Sequence, residues 1–153
     1  MSKRYTNLYF ENFTVGRVLE TDSWRVTEDE VVAFGKAYAR LPYHTDPDAA
    51  KDSMFGGLVA AGFQTAAISF GLYTASGAFD ACGMGSPGCD RIRWRRPVRP
   101  GDELRVEAEV VEASPAREPG GRNQIRLNIR TLNQDGEAVL DMTTIHYVKS
   151  RPG

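Results

Sequence analysis

From Leu58 to about Ser76 the chain is dominated by Ala, Gly, Phe, Ile and Leu, spread around the whole circumference of a helix rather than along one stripe. A helix with no polar face has to be enclosed by protein, so the rest of the chain must supply a wrapper. Gln64, Thr65 and Ser69 interrupt the run, which excludes the ~20 consecutive apolar residues of a membrane span. At 153 residues the chain suits one domain spanning 1–153, a size at which roughly 68–70% of the unfolded surface is buried.

The second half supplies the wrapper. Leu104, Val106, Ala108 and Val110 alternate with charged neighbours, as do Ile125, Leu127 and Ile129. That period of two is how strands with one buried face read. Asp135-Gly136 marks a hairpin between the last two strands, because Gly takes positive φ without steric cost. Strands are therefore predicted near 87–97, 103–112, 123–132 and 137–148, with a mobile loop over Ala113 to Arg122.

Earlier in the chain, Gly16 and Arg17-Val18-Leu19-Glu20 read as a turn into a first strand reaching about Val26. Thr27 and Glu30 have capping-box spacing, which predicts a helix from about Glu28 to Tyr38. Asp46 followed by Pro47 repeats the start signal in another form, as a cap with proline in the first turn. The sum is an α+β chain with an antiparallel sheet around one long central helix.

Nineteen basic side chains against twenty acidic leave a net charge of −1, so no overall field gathers nucleic acid or anionic membrane. The N-terminal residues lack the apolar run and cleavage pattern of a secretory signal, and a cytoplasmic protein is expected. Cys82 and Cys89 do not have the spacing of paired zinc ligands, so they are expected as free thiols, with no metal and no cofactor. His146, in the last strand, reads as a cross-strand neighbour.

Pro42-Tyr43-His44-Thr45-Asp46 reads as a loop leading to Gly56-Gly57-Leu58-Val59-Ala60-Ala61-Gly62 at the start of the long helix. This order resembles the hydratase motif of the MaoC-like dehydratases, which include (R)-specific enoyl-CoA hydratases. The resemblance extends from Tyr9-Phe10-Glu11 to the last strand and includes Arg95-Arg96-Pro97-Val98-Arg99-Pro100-Gly101-Asp102. It implies a hotdog fold, a homodimer or higher oligomer, and a pocket at the subunit boundary. Its partner would be an acyl thioester of coenzyme A or of acyl carrier protein.

In the family pattern Asp-x-Asn-Pro-x-His, the Pro and His fall on Pro42 and His44, while Ala39 and Leu41 stand where the Asp and Asn belong. The resemblance implies that His44 positions and activates water and that the Gly62 N–H faces the thioester oxygen. Arg40, Leu41, Tyr43, Phe55, Gly56 and Ala61 are expected to line the substrate site. Imidazole, with an ordinary pKa of about 6.5, suits proton transfer near neutrality, and the first helical turn offers unpaired donors.

The implied activity is hydration of an enoyl thioester or dehydration of a 3-hydroxyacyl thioester, made atypical by Ala39. Two alternatives stand beside it. One is an acyl-thioester binding module that retained the pocket and lost the acid. The other is a hotdog thioesterase, although no Asp or Glu occurs between Ser53 and Phe79 to serve hydrolysis. Asp46 is the nearest substitute acid in sequence, in competition with its capping role. Arg91, Arg93 and Arg95 share one strand face, suited either to phosphates of coenzyme A or to a solvated surface balanced by Asp102 to Glu112.

Overall fold

The computed structural model describes residues 3–153; Met1 and Ser2, the start of the segment read above for a leader, lie outside the described residues. Two short strands, β1 (Val18–Glu20) and β2 (Trp24–Arg25), precede helices α1 (Glu28–Tyr38), α2 (Pro42–Thr45), α3 (Pro47–Ala50) and α4 (Gly62–Ala75). Strands β3 (Gly88–Trp94), β4 (Glu103–Ser114), β5 (Asn123–Leu132) and β6 (Ala138–Val148) follow. The sheet order is β1-β4-β5-β6-β3, with β2 also paired to β4 and every pairing antiparallel.

The alternation in the strands becomes the core. Leu104, Val106, Ala108, Val110, Ile125, Leu127 and Ile129 are all fully buried on the inner face. Helix α4 lies across that face: Ser69 Oγ meets Thr131 Oγ1 of β5 at 2.6 Å, Tyr73 meets His146 of β6, and Gly62 meets Trp94 of β3. This is the hotdog arrangement. Among the described residues no helix is long and apolar enough to cross a membrane.

Local chemistry explains most boundaries. Thr27 accepts the Glu30 N–H and starts α1, but the Glu30 carboxylate takes the Trp24 indole N–H at 2.9 Å instead of closing a capping box. Asp46 accepts from the N–H groups of Asp48 and Ala49, so it caps α3. The expected first strand divides at Thr21. There the threonine hydroxyl, rather than a ladder carbonyl, takes the Val106 N–H at 2.9 Å.

Three further expectations are corrected. Residues 42–45 form a helical turn instead of a loop, because Pro42 pre-sets the first turn and the Asp46 N–H closes it on the Pro42 carbonyl. The long helix begins at Gly62 rather than Leu58. Val59 and Ala60 give their N–H groups to Tyr43 and Val98, which keeps this segment outside the helix. The enclosure of α4 is also one-sided: Gln64, Thr65, Ser69, Leu72 and Tyr73 are buried, whereas Phe63 and Phe70 are 66% and 48% exposed.

His146 points into the core, where it stacks on Phe79 with ring centroids 4.6 Å apart. Its Nε2 lies 3.1 Å from Thr144 Oγ1 and 3.3 Å from the Tyr73 hydroxyl. Burial pushes the imidazole down to about 4 and the Tyr73 phenol up to about 12. The unfolded chain therefore takes up a proton at His146 below about pH 6.5 that the folded chain refuses until about pH 4. The stability tied to this group is complete above pH 6.5 and is lost as pH falls toward 4. Urea unfolding of wild type and His146→Asn at pH 7 and pH 4 should show an extra loss of about 3 kcal/mol in wild type alone. Equal losses in the two proteins would show that His146 is not the titrating group.

Candidate functional site

Helix α1 sets His44 in place through a close approach. A Cβ added at Gly35 would come within 2.5 Å of the His44 carbonyl oxygen, so only glycine lets α1 lie this close to α2. The His44 side chain then turns inward, 9% exposed, with the Tyr43 ring edge-on at 4.6 Å and Phe55 packed beyond Tyr43. His44 Nδ1 lies 2.7 Å from the Val59 carbonyl oxygen. A carbonyl only accepts, so this bond assigns the hydrogen to Nδ1 and leaves Nε2 with its lone pair.

A cavity of about 480 Å³ opens beside His44. Tyr43, Phe55, Val59 and Ala60 line one side, Gly62, Phe63 and Thr65 the start of α4, and Trp94 to Val98 the other side. No Asp or Glu is among them. Ala61, the residue before α4, provides no side-chain cap, and the first α-helical bond runs from Thr65 N–H to Ala61 O at 3.1 Å. The N–H groups of Gly62, Phe63 and Gln64 precede that bond and have no intrahelical acceptor.

Trp94 stands directly on Gly62. Its indole N–H donates to the Gly62 carbonyl at 2.7 Å, and a Cβ at Gly62 would meet the indole Cε2 at 2.5 Å. The absence of a side chain at 62 is thus needed for packing against β3, whatever else its N–H does. Trp94 also meets Phe63 edge-on at 5.3 Å and remains 45% exposed.

Of the residues expected from the sequence, the structure gathers Tyr43, His44, Phe55 and Gly62 around the cavity. Arg40, Leu41, Gly56 and Ala61 are not among its lining residues. The Arg40 Nε instead donates to the Lys36 carbonyl at the end of α1, and Leu41 is the exposed residue that precedes α2. Gly56 takes a turn with φ of 67°, and Ala61 is buried with its carbonyl committed to Thr65. The Asp46 carboxylate is occupied in capping α3.

Trp94, Phe63 and Thr65 were not anticipated. Period two along β3 carried the signal for Trp94, since the arginines at 91, 93 and 95 share the opposite face. Of these arginines Arg95 pairs with Asp141 at 2.7 Å, while Arg93 sits opposite Asp141 in the ladder and donates to the Ile92 carbonyl. Arg96 pairs with Glu137 at 2.9 Å, and Arg99 donates to the Phe55 carbonyl at 2.6 Å, tying that loop to the cavity wall. Among the described residues no cluster of three or more His, Cys, Asp or Glu could hold a metal ion. Cys82 and Cys89 are free, and burial pushes the Cys82 thiol up to about 11.

A family model described as MaoC like domain matches residues 10–128. The chain belongs to the MaoC-like family. This MaoC-like domain is 32% identical over 124 residues to the uncharacterized protein YdeM of Bacillus subtilis (strain 168), covering 81% of this chain and 86% of that protein. It is similar to the crystal structure of the MaoC-like dehydratase from Rhodospirillum rubrum at 35% identity and a TM-score of 0.86, covering 96% of this chain and all of the other. It is also similar to the unliganded R-hydratase PhaJ1 from Pseudomonas aeruginosa at 25% identity and a TM-score of 0.78, covering 95% and 88% of the two chains. The structural matches carry the likeness past position 128 to β6.

The contact between Gly62 and Trp94 is directly testable. Gly62→Ala should lower stability by about 1–3 kcal/mol through overpacking. In a Trp94→Ala background the same substitution should cost at least about 0.5 kcal/mol less, because the clashing ring is gone. Urea midpoints of the four proteins provide the check, and an unchanged penalty would mean the ring does not enforce the glycine.

Proposed function

We propose that this MaoC-like domain is a hydro-lyase that adds water to an enoyl thioester, or removes it from a 3-hydroxyacyl thioester. The observation that carries this reading is the bond from His44 Nδ1 to the Val59 carbonyl, which leaves Nε2 as an acceptor beside an uncapped helix start. Hydration needs a base for water at C3, a proton for C2 and donors for the thioester oxygen. His44 fills the first two roles in succession, and the Gly62 N–H at the start of α4 fills the third. The apolar walls from Phe55, Phe63 and Trp94 suit an acyl chain. Arg95 and Arg96 at the cavity's other side suit the anionic phosphates of coenzyme A or of an acyl carrier protein.

We further propose that two copies pair. Among the described residues strand β3 pairs only with β6, so its other edge is open. Phe63, Ala67 and Phe70 lie along one exposed stripe of α4. A second copy covering both would complete the enclosure of the central helix and deepen the cavity beside it.

The absence of a carboxylate from the cavity lining favours a second reading, a module that binds acyl thioesters without turning them over. Helix α4 also lacks Asp and Glu, so nothing on it supports thioester hydrolysis. Crotonyl-CoA and a medium-chain enoyl-CoA, followed by loss of enoyl absorbance, separate the two readings. A hydro-lyase should turn over at least one of them and lose about 10²-fold or more in His44→Ala, while Ala39→Asp should raise its rate about tenfold or more. Binding without turnover would establish the module instead.

A further inference from the structure

The cavity lining leaves few polar groups uncommitted. Arg95 and Arg96 are in exposed ion pairs and are the groups suited to phosphate, and the Trp94 indole N–H is bonded to Gly62. Besides His44 Nε2, this leaves the hydroxyls of Tyr43 and Thr65. The Tyr43 ring is wedged between Phe55 and His44, and the residue is only half-buried. Thr65 differs: it is 2% exposed, lies on α4 less than one turn beyond Gly62, and lines the same cavity as His44.

The other serine and threonine hydroxyls of this helix bond to its own carbonyls. Ser69 donates to Thr65 O at 2.7 Å, and Thr74 donates to Phe70 O at 2.8 Å. Ser76, just past the helix, donates to Tyr73 O. Among the described residues the Thr65 hydroxyl has no hydrogen-bond partner, yet its oxygen is not sealed in the core as Gln64 Oε1 is. The Thr65 hydroxyl is therefore free to bond a molecule that enters the cavity it lines. Water is the entering molecule that the proposed reaction requires.

We propose that Thr65 holds the attacking water together with His44 and so stands in for the carboxylate missing at position 39; the assignment rests on the hydro-lyase reading. One O–H of the water is directed to His44 Nε2 and the other to Thr65 Oγ1. As the water oxygen bonds to C3, its first O–H breaks and the proton passes to Nε2. The C2=C3 π pair moves toward the thioester carbonyl, whose oxygen the Gly62 N–H holds. The proton on Nε2 then passes to C2 as the enolate pair returns, so H and OH are added with no other reactant. Thr65 needs to lose no proton. Its hydroxyl aims the water and keeps its reactive lone pair on C3.

The test uses the full chain with crotonyl-CoA and a medium-chain enoyl-CoA, reading kcat and KM separately and the urea midpoint of every variant. Thr65→Val should lower kcat about tenfold to a hundredfold with KM within about threefold, because one hydrogen bond to the reacting water is lost. Thr65→Ser, which keeps the hydroxyl, should stay within about threefold of wild type. Adding Ala39→Asp to Thr65→Val should recover most of the lost kcat, since a carboxylate there takes over the water. Thr65→Ala serves as the second hydroxyl-free variant if the valine form does not fold. An undiminished kcat in folded, hydroxyl-free variants would overturn the role of Thr65 while leaving a His44-dependent wild type as a hydro-lyase. A change in KM alone would do the same, by making Thr65 a wall. No wild-type turnover of either substrate overturns both the assignment and the reading beneath it.

Discussion

The bond between His44 Nδ1 and the Val59 carbonyl joins the two parts of the chain that the site requires. One is the short helix that carries the imidazole; the other is the segment that becomes α4. Around that bond, the Val59 N–H is held by Tyr43 O and the Ala60 N–H by Val98 O. The segment before Gly62 is thereby pinned to α2 on one side and to the turn before β4 on the other. Because its amides are used outward, the segment stays extended and α4 starts late, with its first N–H groups beside the imidazole. A side chain at Gly35 would push α2 away and undo the arrangement at its root.

The polarity of α4 follows from what each face meets. A helix facing only a sheet would be expected to turn its apolar side inward. Here Gln64, Thr65, Ser69 and Tyr73 face in, while Phe63 and Phe70 look out. The inward polar groups are mostly answered, Ser69 by Thr131 and Tyr73 by His146. An outward aromatic stripe gains nothing in water, where apolar area costs roughly 25 cal/mol per Å² relative to burial. The arrangement is economical only if a second surface covers the stripe, and the open edge of β3 offers that surface a ladder to join.

Much of this was readable in the residues. Thr27, Asp46 and Pro47 act locally, and local chemistry survives translation into structure: α1 spans Glu28–Tyr38 as predicted, and Asp46 caps α3. The alternation through β4 and β5 likewise maps onto the inner face. What failed to show was tertiary. Nothing in Leu58-Val59-Ala60-Ala61 announces that its amides belong to Tyr43 and Val98, and helical composition there misplaces the start of α4. The sites at Trp94 and Thr65 are of the same kind, since each depends on which strand or loop stands opposite. The reason for Gly35, a residue costly in a helix by propensity, appears only when the His44 carbonyl lies against it.

His44 is oriented by a backbone carbonyl, and no Asp or Glu is among the residues that line its cavity. The Val59 carbonyl fixes the direction of the ring through Nδ1 and leaves Nε2 turned to the cavity. In the proposed hydration the burden falls on holding water, imidazole and C2 in a fixed relation, which is the contribution expected from a buried hydroxyl on a rigid helix and from the close glycine contacts at 35 and 62.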